Sequence, residues 1–69
     1  MTVKDGWHLV GGYEVWVEGG GVIRAVVGEG NNRRTAYPYK SNPKGGWIRD
    51  NPTVDTLRRG LKSGRYSIQ

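Results

Sequence analysis

Paired and tripled glycines that interrupt a two-residue alternation of side chains are the feature that most restricts how this chain can fold. The alternating segments run from Trp7 to Val10, from Tyr13 to Glu18 and from Val22 to Val27, with Gly11-Gly12 and Gly19-Gly20-Gly21 between them. A period of two is typical of strands buried on one face. Two glycines suit a type I′ or II′ hairpin turn, and three glycines suit a hairpin with a bulge. The sequence therefore predicts three consecutive antiparallel strands.

The two turns also predict which residues lie opposite each other. The expected pairs are Glu18 with Val22, Trp16 with Arg24, Val15 with Ala25, Trp7 with Trp16 and Val10 with Tyr13. This register gives one mainly apolar face, the expected core face: His8, Val10, Tyr13, Val15, Val17, Ile23, Ala25 and Val27. A slip of one residue would mix the two faces, so the pattern supports the register.

A fourth, weaker strand is expected from Arg34 to Tyr39. Pro38 within it has no N–H to donate to a neighbouring strand, which predicts an edge position. The glycine-rich segment 28–33 reads as a hairpin loop, since it lacks the Lys-Ser/Thr pair of a phosphate-binding loop.

One helix is expected late in the chain. Asn51 suits the N-cap and Pro52 the first helical position, while Val54, Leu57 and Leu61 form an apolar stripe. Gly64 is a natural helix end, and the tail through Tyr66 and Ile68 predicts one more short strand. Residues 1–69 are thus expected to form a single α+β domain, a small antiparallel sheet of three to four strands with one C-terminal helix packed on its apolar face.

Composition argues against an enzyme. The 69 residues contain no cysteine and a single histidine, His8, which the register places on the core face. The six acidic residues show no spacing typical of a metal site or of a catalytic carboxylate pair. We expect no catalytic residue, metal or cofactor. Because there is neither a long apolar run nor a signal-peptide pattern, we expect a cytoplasmic protein with no membrane partner.

Charge is unevenly distributed along the chain. Residues 1–30 carry two cations against four acids, a net charge of −2, whereas residues 31–69 carry nine cations against two acids, a net charge of +7. Basic side chains neutralise phosphates and aromatic rings stack on bases, and sites for single strands combine the two. The predicted nucleic-acid-binding residues are Arg33, Arg34, Lys40, Lys44, Arg49, Arg58, Arg59, Lys62 and Arg65, with Tyr37, Tyr39 and Trp47 among them.

A second surface is predicted on the face of the sheet opposite the core. There Val22 and Val26, together with Trp7, Leu9 and Trp16, surround Arg24 in the predicted register. Exposed clusters of Trp around an Arg are typical of protein-binding surfaces, so Trp7, Leu9, Trp16 and Arg24 form a candidate protein-binding patch. Alternatively, the sheet curls and the 40–50 loop covers this patch with Trp47.

Three segments carry a resemblance: Gly6-Trp7-His8, residues 12–17 and residues 35–39. They resemble segments of short, uncharacterised accessory proteins of phages and other mobile elements. The resemblance implies a protein that binds host machinery or nucleic acid, including inhibitors of host defence systems, and brings no catalytic motif.

These observations favour a non-enzymatic binding module. The leading hypothesis is a nucleic-acid-binding accessory protein that contacts phosphates through its basic C-terminal half. The alternative is a phage-type inhibitor or adaptor that binds a host protein, with the basic face against an acidic or nucleic-acid-binding partner. The third is a self-associating module, a homo-oligomer without a nucleic-acid role.

Overall fold

Two antiparallel sheets and one helix make up the computed structural model, which describes residues 3–69. The first sheet has the order β1-β2-β3-β4 and the second the order β6-β5-β7. The α+β class with a C-terminal helix is confirmed, while the second sheet is an addition to the predicted fold. The elements are β1 (Gly6–Val10), β2 (Tyr13–Glu18), β3 (Gly21–Val27), a 3₁₀ turn (Gly30–Asn32), β4 (Arg34–Ala36), β5 (Pro38–Ser41), β6 (Trp47–Arg49), α1 (Val54–Ser63) and β7 (Tyr66–Ile68).

Both glycine turns form hairpins, as predicted. Gly11 and Gly12 have φ angles of 57° and 84°, and Gly19 and Gly20 have 59° and 81°. Two successive positive φ angles are what a two-residue turn between right-twisted strands requires, and glycine adopts them without a steric penalty. The predicted pairs of Trp16 with Arg24, Val15 with Ala25, Trp7 with Trp16 and Val10 with Tyr13 are confirmed.

The predicted pairing of Glu18 with Val22 is wrong. Only two glycines form the turn, so Glu18 pairs with Gly21 and Val17 with Val22, and a bulge in β3 at Ile23 restores the register at Arg24. The extra residue shifts the alternation by one. Val22 is therefore buried in the core instead of lying in the outer patch, and Ile23, expected in the core, is only half-buried.

The segment expected to be one edge strand is divided between the two sheets. β4 pairs with β3, and after Tyr37 the chain continues as β5, the central strand of the second sheet. The prediction of an edge strand is confirmed for Arg34–Ala36, because β4 is the last strand of the first sheet, but it is wrong for Pro38, which begins the central strand β5. A central position is compatible with Pro38 because it is the first residue of β5, and its carbonyl oxygen accepts the Asp50 N–H at 3.1 Å.

The helix begins two residues later than the sequence predicts. Thr53 is the N-cap, and its hydroxyl oxygen accepts the Thr56 N–H at 3.2 Å. Residues 51–53 are held extended against β3, because the Val22 N–H donates to the Pro52 carbonyl at 2.7 Å and Gly21 bridges to Thr53. This pairing leaves Asn51 outside the helix. The predicted end at Gly64 is confirmed.

The core lies between the inner face of the first sheet and α1. Leu57 is fully buried and Leu61 is half-buried. Tyr66 of β7 packs against the edge of this core, with its ring against Gly60, where a helix residue with a side chain would overlap it. The buried hydrophobic side chains are Val10, Val15, Val17, Val22, Ala25, Ala36, Val54 and Leu57.

We expect Leu57→Ala to lower the free energy of unfolding by ~2–5 kcal/mol, because it leaves a cavity at the centre of the core. Leu61→Ala is the matched control and should have a smaller effect, since Leu61 is only half-buried. Chemical denaturation of the two variants measures both values. Equal stabilities of Leu57→Ala and the parent would mean that α1 does not pack as described.

We expect Gly60→Ala to destabilise the fold by ~1–3 kcal/mol, although the same change inside an exposed helix normally stabilises it by ~1 kcal/mol. The added methyl group would overlap the Tyr66 ring. In a Tyr66→Ala background the penalty should become smaller, because the ring is removed while the Cβ of residue 66 remains 3.0 Å from the added methyl group, and a set of four denaturation curves can show this. A stabilising effect in both backgrounds would contradict the close approach of helix and ring.

Candidate nucleic-acid interface

An arginine and three aromatic residues share the outer face of the second sheet. Tyr39 pairs with Arg49 and Ser41 pairs with Trp47, and residues two apart on a strand point to the same side. The opposite side of this sheet carries Tyr66 and Ile68, which pack on the core. Tyr37, Tyr39, Trp47 and Arg49 are called the aromatic face below.

The aromatic face is held by a close contact between a cation and a ring. The Arg49 guanidinium carbon lies 3.6 Å from the centroid of the Tyr37 ring. The backbone of Tyr37 is fixed by two hydrogen bonds with Gln69, of 2.9 Å and 3.0 Å. Trp47 remains 44% exposed and Tyr39 is half-buried. The Trp47 ring, and part of the Tyr39 ring, therefore face solvent on the same side as the Arg49 guanidinium, which its contact with Tyr37 holds in place.

The predicted outer patch of the first sheet is also present, without Val22. The Arg24 guanidinium carbon lies 5.5 Å from the Trp16 ring centroid, and Trp7 meets Trp16 edge to face with centroids 5.1 Å apart. Trp7 is 52% exposed and Leu9 is 71% exposed, so the 40–50 loop does not cover them. Trp16 is fixed further by its indole N–H, which donates to the Glu18 carboxylate at 2.8 Å.

The two outer faces meet where the chain crosses between the sheets. β3 pairs with β4 through Ala25 and Ala36. In this antiparallel register Arg24, before Ala25, and Tyr37, after Ala36, are the next residues to lie opposite each other. The side chains of Arg24 and Tyr37 point outward, because those of their neighbours Ala25 and Ala36 are buried and successive side chains alternate between the two faces. Pairs of aromatic rings and guanidinium groups thus follow one another from the first sheet to the second, an adjacency that the sequence pattern had not indicated.

The remaining predicted basic residues do not all join the aromatic face. Arg33 forms an ion pair with Glu14 at 3.2 Å, and Arg58 forms one with Asp55 at 3.0 Å. Each of these two arginines thus has a carboxylate that balances its charge. Lys44 lies in the turn between β5 and β6, and Arg34 begins β4. Lys40, Arg59 and Arg65 line the space between α1 and the second sheet, and Lys62 is exposed near the end of α1. Seven of the nine cations in residues 31–69 have no ion pair within the described part of the chain: Arg34, Lys40, Lys44, Arg49, Arg59, Lys62 and Arg65.

A hydrogen bond between Tyr66 and Asp50 was not indicated by the sequence. The Tyr66 hydroxyl donates to the Asp50 carboxylate at 2.5 Å and joins β7 to the end of β6. Burial of the phenol, and then its hydrogen bond to Asp50, raise the pKa of Tyr66 to about 12. The two residues are separated by 16 positions, so no local pattern could have indicated their contact.

The single histidine lies on the inner face of the first sheet. His8 is half-buried opposite Val15, as its predicted position on the core face requires, and its Nε2 lies 2.6 Å from the Lys4 carbonyl oxygen. Among residues 3–69, no three His, Cys, Asp or Glu side chains group together as metal ligands. Across the same residues, no helix has the length and apolar character needed to cross a membrane.

Comparison with known proteins finds no matching family model, curated protein sequence or solved structure. What the aromatic face binds is therefore inferred from its geometry and chemistry.

We expect the free energy of unfolding to fall as the pH rises from about 10 to about 12 because of Tyr66. Its pKa is higher in the fold than the ordinary 10.0, so the unfolded chain loses this proton first and is favoured in that range. Tyr66→Phe should flatten this part of the stability profile, with the other titrating groups unchanged. An identical pH dependence in parent and variant would contradict the assigned pKa.

Proposed function

We propose that this protein binds single-stranded nucleic acid, with bases stacked on the aromatic face and phosphates held by the basic side chains around it. The observation that carries the proposal is that Trp47, which is 44% exposed, and the half-buried Tyr39 share one side of the second sheet with Arg49. Stacking on aromatic rings together with a positively charged surface is how sequence-tolerant single-strand sites work.

The position of Trp47 supports a role in stacking on bases. Trp47 and Ile48 are adjacent in β6 and equally exposed, at 44% and 43%, but they lie on opposite faces of the strand. Only the face of Trp47 also carries Tyr37, Tyr39 and Arg49. A base that stacks on such a ring contributes about 1–3 kcal/mol, so two or three bases would give appreciable binding.

The charge distribution supports a nucleic-acid ligand. The net charge of +5 comes from the C-terminal half, which also supplies all residues of the aromatic face. Each phosphate that a cation neutralises releases counterions, so affinity should fall with salt by about −0.7 per contact in a log–log plot for single strands. Bases in a duplex are stacked on one another, which favours single strands over duplexes on this surface.

A protein partner is the second candidate function, favoured by the exposure of Trp7 and Leu9 on the first sheet. Tryptophan and arginine at the centre of an exposed patch often dominate protein–protein affinity. In the alternative hypothesis of a phage-type inhibitor or adaptor, this patch binds the host protein. Here Trp7→Ala should weaken binding by ~2 kcal/mol or more, while Trp47→Ala should have little effect.

We expect Trp47→Ala to weaken binding of a mixed-sequence 12-nucleotide single strand by ~1–3 kcal/mol, because it removes a stacking ring. Ile48→Ala is the matched control, with the same strand and the same exposure but the opposite face. It should leave the affinity unchanged. Fluorescence anisotropy at two salt concentrations measures both values.

Two results would contradict the nucleic-acid proposal. The first is the absence of binding to single-stranded DNA and RNA at low salt. The second is an equal loss of affinity in Trp47→Ala and Ile48→Ala, which would mean that the aromatic face makes no specific contact. If neither nucleic acid binds, the +5 charge serves solubility or electrostatic steering.

A further inference from the structure

A cleft lies between α1 and the second sheet, on the side away from the aromatic face. Its main part has a volume of about 410 Å³ and joins a recess of about 270 Å³. The two parts share Thr56, Arg65 and Tyr66. Arg59, Gly60 and Ser63 complete the main part, while Lys40 and Ser41 complete the recess.

The cleft is produced by the spacing of residues on α1 and by the close approach of Tyr66. Thr56, Arg59 and Ser63 are three and four positions apart, so they lie along one side of the helix. Gly60 lies between them without a side chain, and the Tyr66 ring packs against its backbone. Helix and sheet therefore converge here, with polar side chains around the opening.

Three cations line this cleft with no carboxylate paired to any of them. Lys40, Arg59 and Arg65 are outside every ion pair found in residues 3–69. Unpaired like charges gathered around one concave space repel one another, and an anion placed between them relieves this repulsion. Arginine also binds phosphate oxygens through two parallel N–H donors.

Hydroxyl groups add donors to the same space. The Thr56 hydroxyl oxygen accepts a hydrogen bond from the Thr53 hydroxyl at 2.9 Å, which leaves the proton of Thr56 free to be donated. Ser63 donates to the Gly60 carbonyl at a long 3.3 Å and can turn to an incoming oxygen at little cost.

Two features oppose an anion. The Asp50 carboxylate accepts a hydrogen bond from the Tyr66 hydroxyl, and the C-terminal end of α1, at Ser63, carries a partial negative charge. Together they amount to about one and a half negative charges, with the carboxylate bound behind the phenol. Three full positive charges at the opening exceed them.

We infer that this cleft is a binding site for a phosphoryl group. The same chemistry is offered by a small phosphate monoester and by the backbone of a nucleic-acid strand. The site does not depend on base stacking, because none of Tyr37, Tyr39, Trp47 and Arg49 lines it.

The test is an NMR titration of the full chain with inorganic phosphate at constant ionic strength, following the backbone amide signals. We expect saturable shifts at Gly60, Ser63, Arg65 and Tyr66. In the double variant Arg59→Gln/Arg65→Gln the affinity should fall by at least about tenfold. The matched control is Lys44→Gln/Lys62→Gln, which removes the same charge outside the cleft and should change the affinity less than about twofold.

Shifts spread evenly over exposed cations, or equal losses in the two double variants, would overturn the site. A 5′-mononucleotide and a single strand without terminal phosphates distinguish the two sources. If only the mononucleotide shifts the cleft signals, the ligand is a phosphate monoester; if the strand does so, it is the backbone. If neither shifts them, the inference is wrong. Trp47→Ala should leave the affinity of the cleft for inorganic phosphate unchanged. The proposal of base stacking and the inference of a phosphoryl site can therefore fail independently of each other.

Discussion

The crossing of the chain from β4 to β5 is the constraint on which the rest of the structure depends. Ala36 and Pro38 are buried on the inner side, and the alternation of a strand then turns Tyr37 and Tyr39 outward. Residues 34–41 thus complete the core beneath the first sheet and begin the outer face of the second. A shift of one residue would bury the tyrosines against α1 and expose the alanine and proline, so core and surface are determined together.

Local patterns were sufficient for the first three strands, because glycine turns and alternation act between neighbours in the chain. The bulge at Ile23 was not predictable in this way, since a two-glycine turn and a three-glycine turn are equally compatible with the sequence. The N-cap was missed for a related reason. Asn51 and Pro52 are good helix-start residues, but pairing with β3 holds them extended, and Thr53 caps the helix instead. Tertiary pairing overrode local preference.

The second sheet and the candidate binding surfaces depend still more on distant contacts. The tail strand Tyr66–Ile68 was predicted, but Trp47–Arg49 has too few residues for an alternation to be recognised, and β5 pairs with segments before and after the helix. Composition drew attention to tyrosine, tryptophan and arginine as candidate site residues. It could not separate Arg49, which contacts a ring, from Arg33 and Arg58, which form ion pairs with carboxylates. The cleft beside Gly60 depends on the Tyr66 ring and had no sequence signal.

Photochemical cross-linking can show whether bases stack on the aromatic face, as we propose. A single strand containing 5-bromouracil, irradiated in complex with the protein, bonds to aromatic rings in contact with the base, and mass spectrometry of the digested product locates the bond. We expect cross-links at the exposed Trp47 or at the half-buried Tyr39, which share a face with Arg49. Cross-links confined to Trp7 and Trp16 on the first sheet, or none from a strand shown to be bound, would contradict it.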